Sequence, residues 1–206
     1  MVNDQLYHKK QKDLARKRAN RSIKKYILIV CEGKKTEPNY FKSFKITSAE
    51  IKIRGTGYNT KSLVAYAQEC EKVANKQGLS YDQVWCVFDK DCFLKSEFNN
   101  AIKKAKALGF NVAYSNECFE LWYLLHFEYL TSGLNRTRYF EKLKEHLGED
   151  YKKNSKDMYD KLLEKQGIAI KNAKKLLGIY SKEQHPADCN PSTTVYLLVQ
   201  ELNRYL

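Results

Sequence analysis

Long apolar runs are missing from this sequence. The most extended ones lie near residues 27–31 and 121–127, far short of the roughly 20 residues a membrane-spanning helix needs. The basic N-terminus has no apolar stretch of the kind that makes a signal peptide, so the expected location is cytoplasmic, with no membrane partner. Proline and glycine are scarce, three and nine in 206 residues, which leaves little room for a long flexible linker. Cys31, Cys70, Cys86, Cys92, Cys118 and Cys189 are scattered, without a C-x-x-C pair, and the four histidines add no metal-binding spacing. Structural zinc, which needs closely spaced ligand pairs, is therefore not expected. Cys31, Cys70, Cys86 and Cys118 fall in apolar or periodic segments and read as small buried hydrophobes of a reducing compartment.

Positive charge and aromatic side chains are plentiful. Lys and Arg outnumber Asp and Glu by 37 to 24, for a net charge of +13. The excess is uneven. Residues 1–25 hold nine basic and two acidic side chains, a net of +7, against +6 for the rest of the chain. A basic arm carrying Arg16, Lys17, Arg18 and Arg21 therefore precedes a mildly basic body, and nucleic acid is the expected partner of such an arm. The hydrophobic fraction of 43%, with nine Phe, two Trp and 15 Tyr, argues for a packed core rather than general disorder. The length suits one domain, or one domain with an appendage.

Residues 26–31 (YILIVC) and 84–88 (VWCVF) are continuous apolar runs, as expected of strands buried on both faces of a parallel sheet. Residues 51–54 and 110–114 read as two further strands. Between them lie helical patterns: Pro38 in the first turn of a helix continuing to 44, an apolar stripe over 60–77 closed by Gly78, and residues from Ser96 to Gly109 with Ser96 as cap. Residues 118–127 read as an aromatic-rich helix. From 135 on only helices are expected, near 137–147, 155–165, 168–181 and 193–205, the last capped by Asn190 or Ser192. The expected fold class is α/β: a mostly parallel sheet (26–134) with helices on both faces, plus a C-terminal helical layer (135–206) packed on it.

Two of the buried strands end in acid. Glu32 follows the first, and Asp89 and Asp91 follow the second. In open α/β sheets, ligands bind beyond the carboxyl ends of the strands. In extended chain, residues i and i+2 share a side, which would set the carboxylates of Asp89 and Asp91 together with Lys90 turned away. Like charges so close resist ionising unless a cation joins them, and hard oxygen ligands suit Mg²⁺ or Mn²⁺. A strand-end D-x-D is also an ordinary turn or helix cap. The stretch Gly33-Lys34-Lys35-Thr36 is not a P-loop, because Leu28 stands where that pattern needs glycine and Lys35 where it needs Ser or Thr. Lys34 and Lys35 are left either to hold a scissile phosphate or to form a solvated loop. Phe119, Trp122, Tyr123 and Phe127 read as core rather than a base-stacking platform.

Order and context carry a resemblance. A buried strand ending in Glu-Gly, then a helix, then a buried strand ending in Asp-x-Asp resembles the Toprim fold of topoisomerases, bacterial primases and OLD-type nucleases. The phrases VCEGKKTEPNYFKSF (30–44), VFDKDCF (87–93), SNECFELWYLLHFE (115–128) and NPSTTVYLLVQEL (190–202) together resemble RloB-like proteins, a family found beside restriction and phage-defence loci. The resemblance runs from about residue 25 to the C-terminus. It implies a Mg²⁺-dependent nuclease of Toprim type, with Glu32 as general acid/base and a metal ligand, and Asp89 and Asp91 as metal ligands beside it. The third phrase has the family form S-N-P-x-F-E-L-W. Here Glu117 stands at the proline position, which leaves Glu120 as the matching functional carboxylate. Two other readings stay open: a nucleic-acid-binding or sensing module with a degenerate site, and a partner in a larger defence complex. Whether DNA or RNA is the substrate is equally open.

Overall fold

The computed structural model of the chain describes residues 24–57 and 60–206. Four strands form its sheet: β1 (Lys25–Cys31), β2 (Ala49–Gly55), β3 (Gln83–Asp89) and β4 (Asn111–Ser115). All pair in parallel, in the order β2-β1-β3-β4. Ile29 sits opposite Ile53 on one side and Trp85 on the other. The expected α/β class is therefore observed, and the arrangement is consistent with a Toprim-like sheet.

Both central strands are buried on two faces, and the pleat sorts their side chains. Ile27, Ile29, Cys31, Trp85 and Val87 enter one core, and Leu28, Val30, Val84, Cys86 and Phe88 enter the other. The second core is closed by α2 (Thr60–Lys76) and α3 (Lys95–Ala107), through Leu63, Val64, Ala67, Phe98 and Ile102. The first is closed by α1 (Thr36–Lys42), α4 (Glu120–Leu124), α5 (Arg136–Leu147), α6 (Met158–Leu162), α7 (Gln166–Gly178) and α8 (Val195–Asn203). Leu143, Leu162, Ala173, Leu176 and Leu198 of the C-terminal helices are fully buried in the same core as Ile29. The helical layer thus covers the sheet face rather than standing apart. Each such leucine contributes about 1.5–3 kcal/mol on burial, so the layer and the sheet are bound into one core. Among the described residues, no helix is long and apolar enough to cross a membrane.

Several helix boundaries differ from the sequence pattern, each for a local reason. Only residues Glu120–Leu124 of the expected 118–127 helix are regular. His126 N and Phe127 N then bond to Tyr123 O and Leu124 O, tightening the chain into turns. Every residue from 118 to 126 is buried, so tertiary packing overrides helical propensity there. Helix α8 starts at Val195, later than expected, because the preceding residues bond to β4. Thr193 Oγ1 donates to Tyr114 O at 2.9 Å, and Asn116 N donates to Ser192 O at 2.8 Å. An antiparallel bridge between Ser115 and Thr193 covers the open edge of β4. Neither Asn190 nor Ser192 is the cap. Ser96 is not a cap either, since α3 begins at Lys95 without a side-chain cap. The helix expected from Ser155 begins at Met158 and runs into a 3-10 turn, Leu163–Lys165. The basic arm, with Arg16, Lys17, Arg18 and Arg21, lies outside the described residues.

Candidate functional site

From β1 the chain goes outward to β2, then crosses back to β3 on the other side of β1. Such a reversal leaves a crevice at the carboxyl ends of the two strands where it occurs. Glu32 and Asp89 stand at those two ends. Glu32 N donates to Val87 O at 2.9 Å, continuing the β1–β3 ladder one residue beyond the strand. The Glu32 carboxylate accepts from Asp89 N and from Thr60 Oγ1, each at 3.4 Å. Burial lifts its pKa to about 7. The Asp89 amide acts against that lift, and the neighbouring Glu37 adds to it.

Asp89 Oδ2 accepts from Phe119 N at 3.0 Å. Its carboxyl is held well above the ordinary range, first by burial and then by the charges of Glu37, Glu120 and Glu32. Glu120 is 1% exposed and accepts from the Tyr151 hydroxyl at 2.9 Å. Glu37 is 5% exposed, and its Oε1 accepts from Gly33 N at 3.3 Å. A Cβ at position 33 would collide with the Glu37 carboxylate, so the glycine after Glu32 is what lets Glu37 reach the site.

These four acids line one cavity of about 300 Å³, together with Lys34, Lys35, Asp91, Arg136, Lys153 and Asn154. Lys34 and Lys35 are exposed beside the acids. Asp91 also lines the cavity, but not by the strand pleat expected of it. β3 ends at Asp89, and Asp91 adopts φ 41° in a turn, its N–H donating to Glu117 O at 3.0 Å. Its Oδ2 is 3.1 Å from Arg136 Nη2. The extended i, i+2 geometry fails because the chain has already turned, and the charge that Asp91 meets is a guanidinium. Glu117, which bonds that turn, has φ 85°. Proline, held near −65°, does not fit the conformation that Glu117 adopts.

A family model described as RloB-like protein matches residues 27–202. The chain belongs to the RloB-like family. No curated protein and no solved structure matches it. The matched span of this RloB-like protein includes every residue that lines the cavity.

The donor chemistry of the RloB-like cavity fits a hard divalent cation. It offers oxygen only, and a cation would relieve both the burial and the neighbouring carboxylate charges that lift Asp89 and Glu37. No preformed cage is present: among the described residues, no three His, Cys, Asp or Glu side chains are already gathered at metal-binding spacing. Magnesium commonly takes one or two carboxylates and keeps its waters. Glu32 and Asp89 are the carboxylates that would hold it, with Asp91 engaged by Arg136.

Sequence reasoning missed Glu37, Thr60, Arg136, Tyr151, Lys153 and Asn154. For Glu37 a signal existed. It lies four residues after Gly33 in a helical first turn, where side chains lean back toward the N-terminus. The others come from loops and helix ends whose placement no local pattern announces. The aromatic segment behaves as core: Phe119, Trp122 and Tyr123 are buried. Phe127 stacks on His146 at 4.9 Å, under the ammonium of Lys165. All six cysteines are free, with Cys92 exposed.

Proposed function

We propose that this RloB-like protein is a Mg²⁺- or Mn²⁺-dependent nuclease that hydrolyses phosphodiester bonds in nucleic acid, in the cytoplasm, as part of defence against phage. The observation that carries the reading is the hydrogen-bonded pair of Glu32 and Asp89 at the ends of β1 and β3, facing an acidic cavity rimmed by lysines. When bound, the cation would supply charge neutralisation at the phosphate and a water of lowered pKa. Glu32, with a carboxyl that titrates near neutrality, suits proton exchange: it takes a proton from the attacking water and returns one to the leaving oxygen. Lys34 and Lys35 face the non-bridging oxygens of the phosphate. Tyr151 and Phe119 N hold Glu120 and Asp89 in place. The net charge of +13 favours a polyanionic substrate.

A second reading, a nucleic-acid-binding module without cleavage, has one observation in its favour, the engagement of Asp91 by Arg136. One assay separates the two. DNA and RNA panels, including transfer RNA, are incubated with Mg²⁺, Mn²⁺ or EDTA, with Asp89→Ala alongside. Cleavage that needs the cation and Asp89 supports the nuclease. Cleavage that persists in EDTA or in the variant overturns it, and binding without cleavage under all conditions supports the module.

A further inference from the structure

The cavity has buried acids and exposed lysines, and the lysines come from distant parts of the chain. Lys34 and Lys35 follow β1, whereas Lys153 belongs to the segment between α5 and α6. That segment is fastened to the site by its backbone and by its tyrosine. Thr36 Oγ1 donates to Lys153 O at 2.5 Å across 117 residues of sequence. Asn39 Nδ2 donates to Asn154 O at 3.1 Å, and Tyr151 reaches Glu120. None of these contacts uses the Lys153 side chain. It stays exposed, lines the cavity, and forms no ion pair with a carboxylate among the described residues. Its charge is nonetheless felt inside, since it partly offsets the rise in the Glu37 carboxyl. A solvated surface lysine has no reason to be carried by a segment fastened at three points beside four acids. A lysine that must meet an anion beside the buried acids does.

Building on the nuclease reading, we infer that Lys153 binds a backbone phosphate of the nucleic acid beside Lys34 and Lys35, so that the strand runs along a basic rim shared by the 33–35 loop and the 151–156 segment. The C-terminal layer then supplies part of that rim as well as covering the sheet. Recognition is of the phosphodiester backbone and not of bases, because a lysine offers a point charge with no directional code.

The test is binding without metal, so that it does not depend on turnover. Anisotropy of fluorescein-labelled 20-nucleotide single strands, DNA and RNA, is measured in EDTA across a salt series with the full chain. Lys153→Gln should weaken binding about 3- to 10-fold near 0.1 M salt and make the log K against log salt slope shallower by about 0.7, one phosphate contact on a single strand. Lys153→Arg should restore both. The melting temperature should not move, because the fastening uses the Lys153 carbonyl. Lys103→Gln on α3, on the other face of the sheet, should leave affinity and slope alone. Wild-type binding that Lys153→Gln leaves unchanged, or that Lys103→Gln reduces equally, overturns this assignment and leaves the nuclease reading standing. Absence of binding by the wild type to either strand overturns both.

Discussion

The backbone amide of Asp89 donates to the carboxylate of Glu32 at 3.4 Å. Through this bond the end of β3 positions the acid at the end of β1, and the two strand-end acids share one local geometry. Burial, and then the charges of neighbouring carboxylates, oppose ionisation at both, as the lifted pKa of each attests.

That opposition predicts a gain in stability when a charge is removed. Asp89→Asn keeps the shape and an acceptor for Phe119 N but not the charge. In EDTA at pH 8 the variant should melt about 2–4 °C above wild type, the shift expected of roughly 1 kcal/mol at this size. Cleavage should fall by at least about 10²-fold, the scale on which a positioned catalytic group contributes. A melting point at or below that of wild type would mean that the site is not electrostatically strained.

The pH profile follows from the same site. Glu32 holds its proton up to about 7 when folded, against an ordinary 4.5. It therefore adds stability below about pH 4.5, and that contribution is lost as pH rises through 7, up to about 3 kcal/mol at 1.36 kcal/mol per unit. His126 works in the opposite sense over nearly the same window: buried and neutral, it is pushed down to about 4. The Glu32 contribution must then be read as a difference. Urea denaturation in EDTA at pH 5, 6, 7 and 8 should show wild type losing stability relative to Glu32→Gln as pH rises. A difference that stays constant from pH 5 to 8 would refute the lifted Glu32.

Arg136 occupies the acid that a cation would otherwise meet. Its pairing with Asp91, at 3.1 Å with both side chains about a third exposed, is worth no more than about 1 kcal/mol. Arg136→Gln should cost that much in denaturant melts and should tighten Mn²⁺ binding several-fold in calorimetric titration without nucleic acid. Looser binding would mean that Arg136 orients Asp91 for the cation rather than competing with it.

Gly33 and Glu37 should behave as a coupled pair. Gly33→Ala drives a methyl group into the Glu37 carboxylate and should destabilise the fold by about 1–3 kcal/mol. In a Glu37→Ala background the same change should cost markedly less, because the obstacle is gone. Additive costs in the double-mutant cycle would show that the two residues are independent.

Much of the site was legible in short stretches. YILIVC followed by Glu32 and VWCVF followed by Asp89 announce two buried strands ending in acid, and buried parallel strands bring such ends to one sheet edge. The pairing of Asp91 was not legible, since a turn with φ 41° breaks the two-residue period on which the expectation rested. Glu37 was visible, yet a cap and a buried site acid look alike in a helix's first turn.

By itself the sequence determined the alternation of strand and helix, the two central strands, the acids at their ends and the apolar stripes of the C-terminal helices. Those features follow from side-chain periodicity and turn chemistry, which act over a few residues. Only the tertiary structure decided that Arg136 meets Asp91, that Tyr151 holds Glu120 and that Lys153 faces the cavity. Such meetings depend on how loops more than a hundred residues apart settle once the core has packed, as the bond from Thr36 to the Lys153 carbonyl shows, and no local pattern encodes that register.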